Sequence, residues 1–229
     1  MDAQVTRLGD GALLVAFEPA IDAAINARVL ALADAIRSRG IAGVHDVVPA
    51  YASCAIHFDP LQTRLSELES AVHEALHAGE QAAAPSVGAS TIDIPVCYGG
   101  AFGPDLPAVA RWADCTEAEV IRRHTGREYR VYMLGFLPGF PYLGVVDSRI
   151  AAPRRAQPRA LVPAGSIGIA GMQTGVYPVD APGGWQLIGR TPLAFFDPSW
   201  PVPARLTPGE RVRFVAMEAD DYSRFSGAT

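Results

Sequence analysis

The residue types best suited to chemistry lie between Tyr129 and Pro192. The chain reads there YRVYMLGFLPGFPYLG, then PRRAQPRALVPAGSIGIAGMQTGVYP, then APGGWQLIGRTP. Proline fixes φ and glycine opens positive φ, so a stretch dense in both is a set of tightly specified loops. Loops of that kind commonly shape a recognition surface. Phe136, Phe140 and Tyr142 surround Pro138, Gly139 and Pro141. They form either an aromatic turn or the wall of a pocket for a flat or ring-shaped ligand. Arg154, Arg155 and Arg159 sit on a proline-stiffened loop, and Arg190 follows the Gly183-Gly184-Trp185 strand. Guanidinium groups bind carboxylate or phosphate through paired hydrogen bonds. A stiff loop lowers the entropy lost in presenting them, which favours recognition of an anion or a partner. Gly165-Ser166, Gln173 and Tyr177 complete the set. Gly183-Gly184 reads as a pair of amides facing an oxyanion or as a plain turn. Ser166 has neither a GxSxG elbow nor a histidine base beside it, so a serine nucleophile is weakly supported.

The histidines offer less. His73 and His77 form HEALH, which fits the HExxH pattern of zinc proteases, but no third ligand is evident and the helix is short. They read as a solvent-facing or half-exposed pair. His124 ends a predicted helix beside the loop-rich region; a charged imidazole there would cap the helix C-terminus, and His124 is kept as a binding candidate. Cys54, Cys97 and Cys115 are few, odd in number and far apart, which suits reduced core residues.

Val5–Leu8 and Ala12–Phe17 read as strands joined by Gly9-Asp10-Gly11, a hairpin signal. Ile21, Ile25, Val29, Leu32 and Ile36 form a helical stripe ended by Gly40. Val44–Val48 and Ser53–Phe58 are a second strand pair, and Leu61, Leu65, Leu68, Val72 and Leu76 a second helical stripe. The order ββαββα predicts a small α+β domain over residues 1–78. Residues 79–90 read as a linker, and residues 91–229 as a β-barrel domain of short strands and Gly/Pro turns. In the second domain Thr91–Tyr98 alternates as a strand, and Asp105–Ala113 is a short helix. Thr116 and Glu119 form a capping box for a helix that stops near Gly126. Further strands are expected at Arg130–Phe136, Ser166–Ala170, Trp185–Ile188 and Arg211–Met217, with the last dozen residues frayed.

The chain has 229 residues and a net charge of -5, and all 19 of its basic residues are arginine. Without lysine there is no lysine Schiff-base chemistry, and no GxxxxGK(S/T) P-loop is present. Five arginines face one acid between Arg149 and Arg190, against five arginines and twelve acids in the first hundred residues. An acidic chain with one local basic patch suggests a small anion or an acidic partner rather than nucleic acid. No apolar run is long enough to span a membrane and no leader is visible, so a cytoplasmic protein is expected.

The motifs GDGALLVAF, Val131–Gly144, Pro153–Pro163, GSIGIAG, QTGVYP and PGGWQLIGRTP together resemble the KipI/PxpB family. That family is also called allophanate hydrolase subunit 1, or the KipI-like part of biotin-dependent carboxyltransferases. The resemblance spans nearly the whole chain. It implies a cyclophilin-like barrel after the small domain, and the role of the B-type subunit in an ATP-dependent 5-oxoprolinase. Such an enzyme opens 5-oxo-L-proline to L-glutamate together with PxpA-type and PxpC/KipA-type partners. ATP would bind here or on a partner subunit, with no metal in this chain. Alternative family roles are inhibition of a sensor histidine kinase and a part in a biotin-dependent urea carboxyltransferase. No catalytic residue is assigned. The candidates for binding substrate or partner are His124, Phe140, Tyr142, Arg154, Arg159, Ser166, Gln173, Tyr177, Gly183, Gly184, Trp185 and Arg190.

Overall fold

The structure, a computed structural model, describes residues 3–81 and 91–226. The chain divides into two compact units, Met1–Gly88 and Ala89–Thr229.

The first unit runs β1 (Gln4–Arg7), β2 (Ala12–Ala16), α1 (Ala23–Ser38), β3 (Val44–Pro49), β4 (Ser53–Phe58) and α2 (Leu65–Gln81). Its sheet is antiparallel in the order β1-β2-β4-β3. Alternation in β2 and β4 turns Leu13, Val15, Cys54, Ile56 and Phe58 into the core. There they meet Val29, Leu32 and Ile36 of α1, with Leu68 and Val72 of α2. Both helical stripes are one residue too long in the sequence. Asp22 caps α1 by accepting the Ala24 and Ile25 amides, which leaves Ile21 outside the helix. Leu61 precedes α2 and stands 94% exposed. α2 runs on to Gln81, into the stretch that reads as linker from residue 79; the remainder of that linker lies outside the described residues.

The second unit contributes β5 (Ile92–Tyr98), α3 (Leu106–Trp112), α4 (Glu117–Thr125), β6 (Glu128–Leu134), β7 (Pro141–Gly144), β8 (Arg159–Val162), β9 (Ser166–Ala170), β10 (Gln173–Val176), β11 (Ala181–Gly183), β12 (Gln186–Arg190), β13 (Arg211–Ala216) and α5 (Ala219–Ser226). Seven strands close into a barrel in the order β10-β7-β6-β13-β5-β12-β9, while β8 and β11 form a separate two-stranded ribbon. Closure leaves no free sheet edge in the barrel. Its interior is filled by buried side chains such as Ile94, Tyr129, Leu143, Ile169, Ile188 and Phe214. Thr116 caps α4 by accepting the Glu119 amide. The Glu119 carboxylate does not reach back to complete the capping box; it pairs with Arg122 and Arg123, each at 2.7 Å. The expectation of a frayed C-terminus is corrected: α5 is a helix, and its Tyr222 ring lies 4.6 Å from Phe102.

Candidate functional site

β7, β8, β10 and β11 are each only three or four residues long, too short to leave a period in the sequence. These are the elements that shape the rim. A small second core lies among them, built from Phe140, Val162, Ala170, Tyr177, Trp185 and Leu187. Phe140 is its hub. Its ring centroid lies 4.9 Å from Tyr142, 5.2 Å from Tyr177 and 5.4 Å from Trp185, every pair edge-to-face. That is the arrangement ring quadrupoles favour. Gly183 is required by this packing, because a Cβ there would run into the Tyr177 hydroxyl and ring. Phe140, Tyr177 and Trp185 are buried, so they support the rim rather than line an open pocket. What reaches solvent is Phe136, Tyr142 in part, and Arg154. Phe136 is 60% exposed and holds φ at 69°, a conformation costly for a bulky side chain. Its ring stands perpendicular to Phe140 at 5.6 Å.

The arginine loop does not present its three guanidinium groups alike. Arg155 Nη1 and Arg159 Nη2 donate to the same oxygen, Asp105 Oδ1, at 2.9 and 2.8 Å. Asp105 Oδ2 accepts the Leu187 amide at 2.8 Å. Asp105 is buried just before α3 and makes no side-chain cap of that helix. It serves instead as an anchor tying the loop to β12. Sequence reading missed it, taking Asp105 only as a helix start. Arg154 does not join them. Its guanidinium carbon lies 6.0 Å from the centre of the Trp185 ring, and no carboxylate pairs with it among the described residues. Burial raises the Tyr142 and Tyr177 hydroxyls above their ordinary range; the positive charge of Arg154 opposes this at Tyr142, and at Tyr177 a backbone hydrogen bond with Trp185 opposes it first and Arg154 next. Arg154, Tyr142, Tyr177 and Trp185 therefore share one electrostatic neighbourhood.

The other candidates fall elsewhere. His124 is fully buried inside the barrel, stacked at 4.5 Å on Phe214. Tyr98 Oη lies 2.7 Å from its Nδ1 and Thr174 Oγ1 3.0 Å from its Nε2. Burial pushes its pKa down to about 3, so the expected cationic helix cap is replaced by a neutral core imidazole. Ser166 and Arg190 are register partners on β9 and β12. Ser166 is buried, and Arg190 donates to the Ala164 carbonyl at 2.7 Å. Gln173 opens β10 opposite Gly144 and Ala170. Gly184 accepts the Arg155 amide through its carbonyl at 2.8 Å. His73 and His77 are exposed on α2, and Cys54 and Cys97 are buried free thiols. Among the described residues no group of three or more His, Cys, Asp or Glu is placed to hold a metal ion, and no helix is long and apolar enough to cross a membrane.

The chain is similar to proteins named as the B-type subunit of 5-oxoprolinase. The one from Bacillus subtilis is 43% identical over 232 residues, covering 97% of this chain and 96% of the relative. The one from Escherichia coli O157:H7 is 42% identical, covering 94% and 97%. Among solved structures, TTHA0988 superposes with a TM-score of 0.80 at 36% identity, over 91% of this chain. This chain spans about 40% of TTHA0988. Residues 3–206 match the family described as carboxyltransferase domain, subdomain C and D, and the chain belongs to that family.

Proposed function

We propose that this chain is the B-type subunit of an ATP-dependent 5-oxoprolinase that opens 5-oxo-L-proline to L-glutamate in the cytoplasm, working with A-type and C-type partner subunits. The observation that carries this is identity above 40%, along almost the entire length, to relatives named as that subunit. The chemistry explains the need for ATP. The lactam C–N bond has amide resonance and resists water. Transfer of the terminal phosphoryl group of ATP to the amide oxygen, releasing ADP, opens the ring carbon to attack by water; the C–N bond then breaks with a proton going to nitrogen, and loss of inorganic phosphate leaves the carboxylate of L-glutamate. This chain's share is recognition: a rigid rim whose buried aromatic base holds Phe136, Tyr142 and Arg154 outward toward substrate or partner.

Reconstitution tests the reading. The purified chain mixed with its A and C partners converts 5-oxo-L-proline in an ATP-dependent reaction, and the chain by itself does not. Full activity of the partners without this chain would overturn it.

A further inference from the structure

The charges on the rim do not balance. Arg154, Arg155 and Arg159 bring three positive charges, and the one carboxylate paired with them is Asp105. Asp105 already accepts three hydrogen bonds, with one oxygen shared by two guanidinium groups and the other on the Leu187 amide. Even so, Arg155 Nε and Arg159 Nη1 are buried with no acceptor. A buried donor without an acceptor is costly, whereas an exposed cation is solvated and stays available to an anion from outside. Arg154 is the member placed to receive it: it is exposed, has no carboxylate partner among the described residues, and is backed by the face of a buried tryptophan. The guanidinium lies over that ring at 6.0 Å, the outer reach of a cation–π contact, and its N–H donors make no hydrogen bond or ion pair among the described residues.

We propose that Arg154, over the Trp185 ring, is a recognition site for a small monocarboxylate, and that Asp105 is the positioning residue that holds the Arg154 loop there through Arg155 and Arg159. The site is too small in charge for a di- or triphosphate, since of the three arginines only Arg154 has no carboxylate paired with it among the described residues. A carboxylate matches one guanidinium edge with two parallel hydrogen bonds. The ring-shaped lactam attached to it would lie toward Tyr142 and Phe136. This assignment rests on the functional reading above, because the carboxylate in question is that of 5-oxo-L-proline.

The test compares 5-oxo-L-proline with its uncharged carboxamide. Binding of each to the full chain, alone and with its partner subunits, is followed by the Trp185 indole resonance, and KM and kcat are measured in the reconstituted assembly. The carboxylate is expected to bind about tenfold or more tightly than the carboxamide. Arg154→Ala removes that preference, leaving carboxamide binding unchanged, and raises KM more than it lowers kcat. Asp105→Asn shifts KM in the same direction, and Asp105→Glu restores part of it, an outcome that loss of folding would not give. Arg154→Ala alters an exposed side chain, so the test survives even if the Asp105 variants fail to fold. Equal binding of the two ligands, or no binding of either, overturns the proposal. So does an Arg154→Ala change that weakens only assembly with the partners, which would assign the cation to a partner's carboxylate. If the partners turn over substrate without this chain, the functional reading fails, and the carboxylate preference of the chain still decides the anion site on its own.

Discussion

His124 donates to Thr174 through Nε2. The Thr174 hydroxyl lies 3.0 Å from both His124 Nε2 and the Gly168 carbonyl, and a carbonyl only accepts. The hydroxyl hydrogen therefore goes to Gly168 and its oxygen receives the imidazole N–H. That leaves Nδ1 bare to accept from Tyr98, at 2.7 Å. The chain of bonds satisfies every polar group only while the imidazole is neutral.

This fixes the sign of one pH dependence. The folded pKa of His124 is about 3, below the ordinary value of 6.5. The unfolded chain thus binds one more proton between those limits. Stability from this group is fully present above about pH 6.5 and is lost as pH falls toward 3, in total on the order of 5 kcal/mol. Nitrogen NMR of the imidazole at pH 5 should show a neutral ring protonated at Nε2. Denaturant unfolding should show a shallower pH slope in His124→Gln than in the parent; equal slopes, or a charged ring at pH 5, contradict the network.

Removing the anchor of the arginine loop should be expensive. Asp105→Ala leaves Arg155 and Arg159 without their shared acceptor in a buried setting, and breaking such a pair costs about 3–5 kcal/mol. Arg154→Ala, by contrast, should change stability by less than about 0.5 kcal/mol. Urea unfolding of both variants checks the contrast, and similar losses in the two would mean that Asp105 is not the anchor.

Phe136→Gly separates strain from recognition. Glycine adopts the observed φ of 69° without penalty, whereas phenylalanine there costs roughly 1–3 kcal/mol. The relief offsets the loss of a ring that is already 60% exposed, so stability should stay within about 1 kcal/mol. Turnover of the reconstituted assembly should fall about tenfold or more if the exposed ring is kept for contact. Unchanged turnover would make Phe136 a packing residue only.

Gly183→Ala tests the seat of Tyr177. The added methyl group meets the hydroxyl and ring of the buried Tyr177. Overpacking of this kind costs about 1–3 kcal/mol. A clear fall in the barrel domain's melting temperature is expected, and an unaltered melting curve would contradict the packing described for the rim.

The first unit was largely legible because its periods are long. α1 and α2 each repeat over four turns, and β4 was bounded correctly at Ser53 and Phe58. The stripes overran only where a cap or loop residue happened to be apolar, as at Ile21 and Leu61. In the barrel, β9 was legible, being buried along its length and flanked by glycine. β7, β8, β10 and β11 were not, since three or four residues carry too little pattern to separate a strand from a turn. The aromatic rim was visible as composition, but not the division of labour within the arginine loop. That division depends on Asp105, some fifty residues earlier, and a contact across that distance leaves no local signal. His124 misled for a similar reason: its position at a helix end was clear, while the core that neutralises it comes from Tyr98, Thr174 and Phe214 on three other elements.

Whether this chain supplies a required part of a shared catalytic centre decides its role. The direct measurement is glutamate release from 5-oxo-L-proline and ATP by fixed amounts of the A and C partners as this chain is titrated in. A rate that starts near zero and saturates at a fixed ratio of the three proteins is predicted. A rate independent of the added chain would contradict it.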